Sequence, residues 1–245
     1  MKVIGIIPAR YASSRFPGKP LADILGKSVI QRVYEQCKKA STLSELIVAT
    51  DDKRIFNHVI SFGGKALMTE STHLSGTNRC NEVIQSLETK YDIAINIQGD
   101  EPCINPGAID QLIQSINTFH RLEFIQAVSP IKDPVSVMDI TVVKVAISES
   151  GQAIYYSRSP IPYPRNQKED VYYRCLGLYL YGRDFLKSYA GLVVTRLEQI
   201  EQIEQLRVLE NNIRIDTVLV DDDGLSIDTV EDLAFVRALS PTCFK

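Results

Sequence analysis

Residues 6–20 read IIPARYASSRFPGKP and join a short apolar run to a loop that carries three cations, two serines and one glycine. The apolar run Val3–Ala9 is typical of a buried β-strand, so the loop begins at the carboxyl end of the first predicted strand. Ligands of open α/β sheets bind beyond the carboxyl ends of the strands. Because arginine and lysine neutralise phosphate charge, and small residues let backbone N–H groups approach its oxygens, this stretch predicts a triphosphate-binding loop.

The loop matches neither the Walker A pattern nor G-x-G-x-x-G, which argues against a kinase-type P-loop or a dinucleotide-binding site. A solvated basic loop is the alternative interpretation. The position of the loop, directly after the first predicted parallel strand, favours phosphate binding. The chemistry that we expect is nucleotidyl transfer from a triphosphate.

The composition is that of an ordinary globular protein, with 44% hydrophobic and 23% charged residues in a chain of 245. The net charge of -3 argues against nucleic acid or an anionic membrane surface as a partner. No apolar run has the length of a membrane span, so no membrane insertion is expected. The five cysteines lack the spacing of a zinc site or a disulfide framework, which indicates a reduced, cytoplasmic protein.

The order of the predicted elements indicates the fold class. In the first half, apolar strand-like runs alternate with segments of helical period, as in a mostly parallel sheet covered by helices on both faces. The predicted strands are Val3–Ala9, Glu45–Thr50, 65–68 and Ile93–Ile97, and the predicted helices are 28–39, 52–62 and 76–87. We therefore predict a doubly wound, mostly parallel α/β fold, with residues 1–245 forming a single domain.

The middle of the chain changes character. Strands predicted at 124–131, 142–148, Ala153–Ser157 and 172–181 have fewer helices between them, which predicts a smaller mixed α/β lobe at about residues 120–190. The last part predicts a helix at 182–189, one long helix over 196–211, a strand at 213–220 and a helix at 229–239.

Two aspartates are candidates for a metal site. Asp100 follows the predicted strand Ile93–Ile97 in the motif QGDEP, where a carboxylate is well placed to hold Mg²⁺ against phosphate oxygens. Asp228 is the second candidate, although its local pattern fits a helix N-cap better, with Glu231 as the capping-box partner. The acidic run 221–223 is interpreted as a solvated turn.

Several polar residues are candidates for contacts with a second substrate. Ser75 fits a helix N-cap, whereas Arg79, one turn later, could reach a base or a phosphate. Lys144 stands in an apolar strand, where a lysine either reaches solvent at the edge or points at an anion. Arg158 and Arg165 flank the proline-rich segment 159–164, which either lines a cleft or crosses the surface.

Three glutamates, Glu198, Glu201 and Glu204, recur at every third position of the long predicted helix. They form a flank beside its apolar stripe, and a solvated face is the expectation for such a flank. A binding site for sugar hydroxyls is the alternative.

Taken together, these motifs resemble those of the 3-deoxy-manno-octulosonate (Kdo) cytidylyltransferases, also called CMP-Kdo synthetases. The matching segments follow the family's order along nearly the whole chain: IIPARYASSRFPGKPL, IVATDD, HLSGTNR, INIQGDEP, VVKV, YYSRSPIP, LGLYLY, LEQIEQIEQLRVL and IDTVEDL. The first motif and QGDEP are specific, although the wider group of sugar-acid cytidylyltransferases shares weaker versions of them. The resemblance implies a nucleotide-diphospho-sugar transferase-like fold, and a homodimer joined through the smaller lobe.

The resemblance also implies an activity. In this family CTP reacts with a 3-deoxy-2-keto sugar acid in a Mg²⁺-dependent step, giving the CMP-sugar and pyrophosphate for lipopolysaccharide or capsule synthesis. The anomeric 2-hydroxyl attacks the α-phosphorus directly, without a covalent enzyme intermediate. Catalysis then depends on positioning and charge stabilisation. Kdo is the first choice of acceptor.

The same resemblance assigns roles to individual residues, and it favours the metal interpretation of Asp228 over the cap. The catalytic group is Arg10, Lys19, Asp100 and Asp228, of which Asp100 and Asp228 hold Mg²⁺. The nucleotide contacts are Arg10, Ser13, Arg15, Lys19, Ser75, Arg79 and Gln98. The sugar-acid contacts are Gln98, Lys144, Arg158, Arg165, Cys175, Tyr179, Glu204 and Gln205.

Three positions depart from the family's pattern. Cys175 stands where the family usually carries a histidine of the sugar-acid pocket, and a thiol cannot replace its hydrogen bonds or its charge. Asn78 replaces an acidic residue, and Val230 replaces a proline at a helix start.

These departures keep two alternatives open. One is the same chemistry on a Kdo analogue, such as 8-amino-Kdo or another sugar acid. The other is a non-catalytic nucleotide-binding relative. A metal-dependent glycosyltransferase is disfavoured because no suitable D-x-D motif follows a core strand.

Overall fold

The computed structural model describes residues 1–13, 15–73, 75–119, 122–165, 172–239 and 244. Its strands are β1 (Val3–Ala9), β2 (Asp23–Ile24), β3 (Lys27–Ser28), β4 (Glu45–Thr50), β5 (Ala66–Met68), β6 (Ile93–Ile97), β7 (Phe124–Pro130), β8 (Lys144–Ile147), β9 (Ala153–Ser157), β10 (Tyr173–Gly182) and β11 (Ile215–Leu219). Its α-helices are α1 (Val29–Cys37), α2 (Lys53–Ser61), α3 (Gly76–Ser86), α4 (Pro106–Gln114), α5 (Pro134–Met138), α6 (Arg183–Tyr189), α7 (Arg196–Glu201), α8 (Gln205–Glu210) and α9 (Val230–Ala238). Short 3₁₀ helices span Lys19–Leu21 and Ser115–Thr118.

The central sheet has nine strands, and seven of them follow the order β11-β7-β10-β6-β1-β4-β5. Strand β1 pairs in parallel with both β4 and β6, and β11 pairs in parallel with β7. Strand β10 is antiparallel to both of its neighbours, β6 and β7. The predicted mostly parallel α/β sheet is therefore confirmed, with β10 as the reversed strand.

Helices cover both faces of the sheet, which confirms the doubly wound arrangement. Along β1, Val3 and Ile7 join a core shared with α1, α2 and α4, whereas Ile4 and Ile6 join a second core shared with α3, α6 and α8. The alternation follows from the two-residue period of a strand, and both sets are apolar because both faces are buried. The loops after β1 and β6, two adjacent parallel strands, consequently emerge side by side at one edge.

The region predicted as a smaller lobe is only partly separate from this sheet. Strand β7 and the second half of β10 lie within the main sheet. The extension consists of α5 and the antiparallel pair β8–β9, which joins the sheet where Lys144 pairs with Arg174 at the start of β10. One long strand thus runs from the extension into the centre of the molecule.

The prediction of one long helix over 196–211 is wrong, because the chain forms two helices there, α7 and α8. The break is at Gln202, whose φ of 54° and ψ of 48° place it in the left-handed region. A buried ion pair joins the two helices, since Arg207 donates from Nε and from the NH2 nitrogen to the carboxylate of Glu198 over 2.7 and 2.6 Å. The glutamates of this segment therefore do not form one solvated flank.

Helices α4 and α5 are additions to the predicted set. Each begins at a proline that follows a capping side chain: Asn105 accepts a hydrogen bond from the N–H of Gly107, and Asp133 accepts one from the N–H of Val135. Proline suits the first helical position because the missing N–H has no partner there in any case.

The start of α9 corrects the capping prediction for Asp228. The capping residue is Thr229, whose hydroxyl accepts from the N–H of Asp232 over 3.1 Å while the Asp232 carboxylate accepts from the N–H of Thr229 over 2.8 Å. Neither Asp228 nor Glu231 takes part with its side chain in this capping box. The carboxylate of Asp228 is therefore available for other contacts.

Two further expectations bear on the environment of the protein. Cys37, Cys80 and Cys175 are free thiols, but Cys103 is disulfide-bonded, which corrects the expectation of fully reduced cysteines. Among the residues that the structure describes, no helix is both long enough and apolar enough to cross a bilayer. The cytoplasmic location stays a prediction.

Replacing Thr229 tests the cap at the start of α9. We expect Thr229→Ala to lower the free energy of unfolding by about 1 kcal/mol, since one N–H of the first turn loses its acceptor. Urea denaturation followed by circular dichroism measures this. Glu231→Gln is the control and is expected to have little effect; equal losses in the two variants would contradict the assigned cap.

Candidate active site

The loop after β1 is folded back on itself. Gly18, with a φ of 74°, donates its N–H to the carbonyl of Tyr11 over 2.9 Å, and its missing Cβ leaves room for the Tyr11 ring. Ser13 accepts from the N–H of Phe16 over 3.3 Å, and the guanidinium of Arg54 lies 3.3 Å from the centroid of the Tyr11 ring. The loop is thus held in a defined curve that presents its cations along one edge of the sheet.

Lys19 brings the two predicted metal carboxylates together. Its Nζ lies 2.7 Å from Oδ2 of Asp100 and 3.4 Å from Oδ1 of Asp228, and it also donates to the carbonyl of Ile227 over 2.7 Å. Arg15 adds a second cation, with its NH2 nitrogen 3.0 Å from Oδ1 of Asp228. A hydrogen bond from the N–H of Ile227 to the carbonyl of Asp100 joins the backbones of the two segments that carry these aspartates.

This arrangement fits a magnesium ion that is also bound by phosphate. Two carboxylates, Asp100 and Asp228, already converge on one cationic group, the ammonium of Lys19. Magnesium prefers oxygen ligands and usually takes one or two carboxylates together with phosphates and water. In the described part of the chain no group of three or more His, Cys, Asp or Glu side chains could hold a metal by itself. Two carboxylates match the number that magnesium usually takes from a protein when phosphate is also a ligand.

A cavity of about 360 Å³ lies beside the two aspartates. It is bordered by the end of β6, the start of β10, the loop before β8 and the junction of α7 and α8. Eight residues that the sequence assigned to the site line it: Gln98, Asp100, Arg158, Cys175, Tyr179, Glu204, Gln205 and Asp228. The cavity thus joins the metal carboxylates to most of the predicted sugar-acid contacts.

At the start of α3, the residues predicted to contact the nucleotide lie deeper than expected. Ser75 is the N-cap and accepts from the N–H of Asn78 over 3.2 Å. Arg79 is completely buried, donates to the hydroxyl of Thr69, and has its NH2 nitrogen 3.3 Å from Oδ2 of Asp51. Among the described residues its Nε has no hydrogen-bond partner, and its NH2 nitrogen makes only the ion pair with Asp51.

Arg10 lies close enough to Arg79 for the charges of the two guanidinium groups to interact. Burial, and after it the neighbouring charge of Arg79, lower the pKa of the Arg10 guanidinium, whereas Asp51 and Glu204 raise it. The two guanidinium groups thus place like charges close together after the end of β1. Arg79 is the buried member of the pair, and Arg10 is the partly exposed one.

Glu204 is the glutamate of the α7–α8 segment that reaches the cavity. Its carboxylate accepts from the hydroxyl of Thr77 over 2.8 Å and from the hydroxyl of Tyr189 over 3.2 Å. Burial raises the pKa of the Glu204 carboxyl despite these hydrogen bonds. The expectation of a solvated face is wrong at this residue.

Three predicted contacts have other surroundings. Lys144 is buried, donates to the carbonyls of Asp139 and Val142 over 2.7 Å each, and is absent from the cavity lining. Arg165 is exposed and also lies outside the lining.

Arg158 lines the cavity, but its three guanidinium nitrogens each donate to a backbone carbonyl, those of Glu201, Ile140 and Gln202. This geometry gives Lys144 and Arg158 a role in holding the cavity wall.

The comparisons with known proteins agree with this geometry. A family model described as cytidylyltransferase matches residues 4–215. A 3-deoxy-manno-octulosonate cytidylyltransferase from Solibacter usitatus is 45% identical over 97% of this chain and 94% of its own length. A mitochondrial 3-deoxy-manno-octulosonate cytidylyltransferase from Arabidopsis thaliana is 44% identical over 97% of this chain and 83% of its own.

The chain belongs to the 3-deoxy-manno-octulosonate cytidylyltransferase family. A solved structure of CMP:2-keto-3-deoxy-manno-octonic acid synthetase complexed with CTP superimposes with a TM-score of 0.91, 43% identity, and coverage of 97% of this chain and 98% of that one. The 4-diphosphocytidyl-2C-methyl-D-erythritol synthase of Anaerococcus prevotii shares the fold alone, with a TM-score of 0.64 and 14% identity over 97% of both chains.

Two residues of this cytidylyltransferase site were not singled out from the sequence. Glu101, next to Asp100, is buried in the cavity wall, and its Oε1 accepts from the N–H of Gly177 over 3.0 Å. Burial, followed by the charges of Asp222 and Asp100, raises the pKa of the Glu101 carboxyl. The QGDEP motif contains Glu101, so a sequence signal existed for it.

Arg174 is the second of these residues. It lines the cavity and donates from its NH1 nitrogen to the carbonyl of Asp223 over 2.6 Å, while its buried Nε has no hydrogen-bond partner within the described part of the chain. The residues next to Arg174 in the sequence do not indicate its place in the cavity wall, because its contact to Asp223 joins positions 49 residues apart.

Gly177 fixes how closely β10 approaches the QGDEP motif. A Cβ at this position would lie 2.3 Å from Oε1 of Glu101 and 2.4 Å from Cγ of Gln98. We expect Gly177→Ala to lower the free energy of unfolding by about 1–3 kcal/mol through overpacking, and to weaken CTP binding by displacing the loop that carries Asp100. Thermal unfolding and calorimetric titration with CTP measure the two effects.

The matched control is Gly191→Ala, because the nearest atom to a Cβ there is 3.5 Å away, an ordinary contact. Wild-type stability and CTP affinity in Gly177→Ala would show that β10 has room to retreat and would contradict the tight approach.

Proposed function

We propose that this chain transfers CMP from CTP to the anomeric 2-hydroxyl of Kdo, releasing pyrophosphate. The observation that carries the proposal is the convergence of Lys19, Asp100 and Asp228 at the rim of the cavity. It occurs in a chain 43% identical to a CMP:2-keto-3-deoxy-manno-octonic acid synthetase whose structure contains CTP. The relatives that are named for this activity match nearly the whole chain.

In this mechanism the loop after β1 holds the triphosphate. Arg10, Arg15 and Lys19 neutralise its charge, and Lys19 stays fixed by the carbonyl of Ile227 while it does so. The bond from the sugar's 2-oxygen to the α-phosphorus forms as the bond to the pyrophosphate oxygen breaks, and the hydroxyl proton passes to solvent. Because no covalent enzyme intermediate is required, the protein contributes alignment and charge stabilisation.

Mg²⁺ is the proposed cofactor, and Asp100 and Asp228 would hold it. When bound, the ion supplies positive charge to the phosphate oxygens during displacement. The two carboxylates are partly exposed, with 24% and 26% of their side chains accessible, so an ion and a nucleotide can reach them. Lys19 and Arg15, which already neutralise these carboxylates, would then also face the phosphates.

The cavity is proposed to hold the sugar acid, with Arg174 as the cation for its carboxylate. Arg158 and Arg174 are the cations among the residues that line the cavity. Each guanidinium nitrogen of Arg158 donates to a backbone carbonyl, which uses three of its five N–H groups, whereas Nε of Arg174 has no hydrogen-bond partner among the described residues. A guanidinium group matches the two oxygens of a carboxylate.

We also propose that the extension formed by α5, β8 and β9 makes the contact of a homodimer. Four large apolar side chains of this region are 61–76% exposed: Val135, Met138, Ile140 and Ile154. Exposed apolar side chains grouped in one region of a surface are typical of protein–protein contacts.

A pyrophosphate-release assay tests the proposed reaction. The panel contains CTP with Kdo, with 8-amino-Kdo, with a second sugar acid, and with a Kdo derivative whose carboxylate is reduced to an alcohol. We expect Kdo to give the highest kcat/KM. The alcohol is expected to be turned over poorly, because it has no carboxylate to bind Arg174. Faster turnover of an analogue than of Kdo would change the acceptor, and CTP binding without any turnover would favour a non-catalytic relative.

Removing the charge of Asp100 tests the metal assignment. We expect Asp100→Asn to reduce kcat by about 10³-fold or more, since the phosphate-bound ion loses a ligand, while the fold is retained. The matched control is Asp221→Asn in the exposed acidic turn, which is expected to keep wild-type activity. Magnesium-dependent turnover at the wild-type rate in Asp100→Asn would contradict the assignment.

A further inference from the structure

Gln126 is a completely buried amide in the middle of β7. It lies on the face of the strand that carries Phe124 and Val128, the face covered by α8. A buried side-chain amide is costly unless its donors and acceptor are satisfied, so its contacts reveal what it does. The sequence gives no indication of its role, because the surrounding residues of the strand are typical of an ordinary core strand.

The partners of Gln126 fix the orientation of its amide. The pairing of β7 with β10 is interrupted between Cys175 and Tyr179. At this interruption Nε2 of Gln126 donates to the carbonyl of Leu176 over 2.7 Å, to that of Ala127 over 3.0 Å, and to that of Leu178 over 3.4 Å. Carbonyl oxygens only accept hydrogen bonds, so the NH2 end must face them and Oε1 must face the other way.

Oε1 of Gln126 in turn fixes the amide of Gln205. The Nε2 of Gln205 donates to this oxygen over 3.3 Å and to Sγ of Cys175 over 3.7 Å. Both hydrogens of the Gln205 amide are then used. Gln205 lines the cavity beside Tyr179, and the side chains of these two residues are also hydrogen-bonded. Because the NH2 end of Gln205 is directed at Gln126 and Cys175, its carbonyl oxygen, with two lone pairs, is the end that can accept a hydrogen bond from a ligand.

We propose that Gln126 is a positioning residue for acceptor recognition: by fixing the amide of Gln205, it makes this part of the cavity a hydrogen-bond acceptor that binds a hydroxyl or ammonium group of the sugar acid. The inference rests on the proposed function of the cavity. Gln126 itself does not line the cavity, so it acts on the substrate only through Gln205. In its absence the Gln205 amide is free to rotate by half a turn and present its donors.

A double-mutant cycle tests this role. Steady-state kinetics with Kdo and CTP are measured for Gln126→Met, Gln205→Met and the double variant. We expect each single variant to raise the KM for Kdo about 10-fold and to leave the KM for CTP within about 2-fold of wild type. Because Gln126 acts through Gln205, the double variant is expected to lose no more than Gln205→Met alone. Additive losses, about 100-fold in the double variant, would overturn the proposal.

The control removes another buried polar group from the same strand. Ser129 is buried on β7, its hydroxyl has no hydrogen-bond partner in the residues that the structure describes, and it does not line the cavity. Ser129→Ala is expected to keep the wild-type KM for Kdo. A rise equal to that in Gln126→Met would show a general effect of altering β7 and would refute a specific role.

A second variant leaves β7 intact in case Gln126→Met does not fold. Gln205→Glu keeps an oxygen toward the cavity but places another oxygen against Oε1 of Gln126, so we expect its KM for Kdo at pH 8 to rise about as much as in Gln205→Met. A wild-type KM would overturn the proposal. Absence of turnover of any sugar acid by the unmodified protein would refute the proposed function and this inference with it, whereas normal turnover with additive losses would refute only the role of Gln126.

Discussion

The ammonium group of Lys19, between Asp100 and Asp228, is the interaction on which the rest of the site depends. It joins three segments that are distant in sequence: the loop after β1, the loop after β6 and the segment before α9. Two carboxylates that close together repel one another unless a cation lies between them. A triphosphate adds further negative charge, which is why the proposed mechanism places Arg15 and Mg²⁺ at the same site.

The irregular part of β10 connects this charged cluster to the cavity. Near Gly177 the strand leaves its regular pairing with β7 and approaches the QGDEP motif, where the carbonyl of Gly177 accepts from the N–H of Gln98 and its N–H donates to Glu101. The backbone groups freed from the ladder are satisfied by Gln126 and Glu101 instead. A single irregularity therefore positions groups on both the nucleotide side and the acceptor side of the site.

The cavity carries less negative charge than its number of carboxylates suggests, and this favours an anionic acceptor. Four carboxylates line it, those of Asp100, Glu101, Glu204 and Asp228. Burial raises the pKa of Glu101 and of Glu204, so their charged forms are disfavoured, whereas the two aspartates are neutralised by Lys19 and Arg15. The guanidinium groups of Arg158 and Arg174 then remain as the cations of the lining, and Arg174 is the one proposed to bind the carboxylate of the acceptor.

The sequence by itself determined the strands of the parallel core and the loop after β1, because strand periodicity and the position of a loop after a strand are local properties. The local pattern at Asp228 favoured a helix cap, and only the resemblance to the family paired this residue with Asp100. It could not show the break at Gln202, since the apolar period continues through 196–211 while the buried Arg207–Glu198 pair requires two helices. It also could not show that Lys144 is satisfied by backbone carbonyls, or that Gln126 and Arg174 take part in the site. These features depend on contacts between elements far apart in the chain, and only the packed structure decided them.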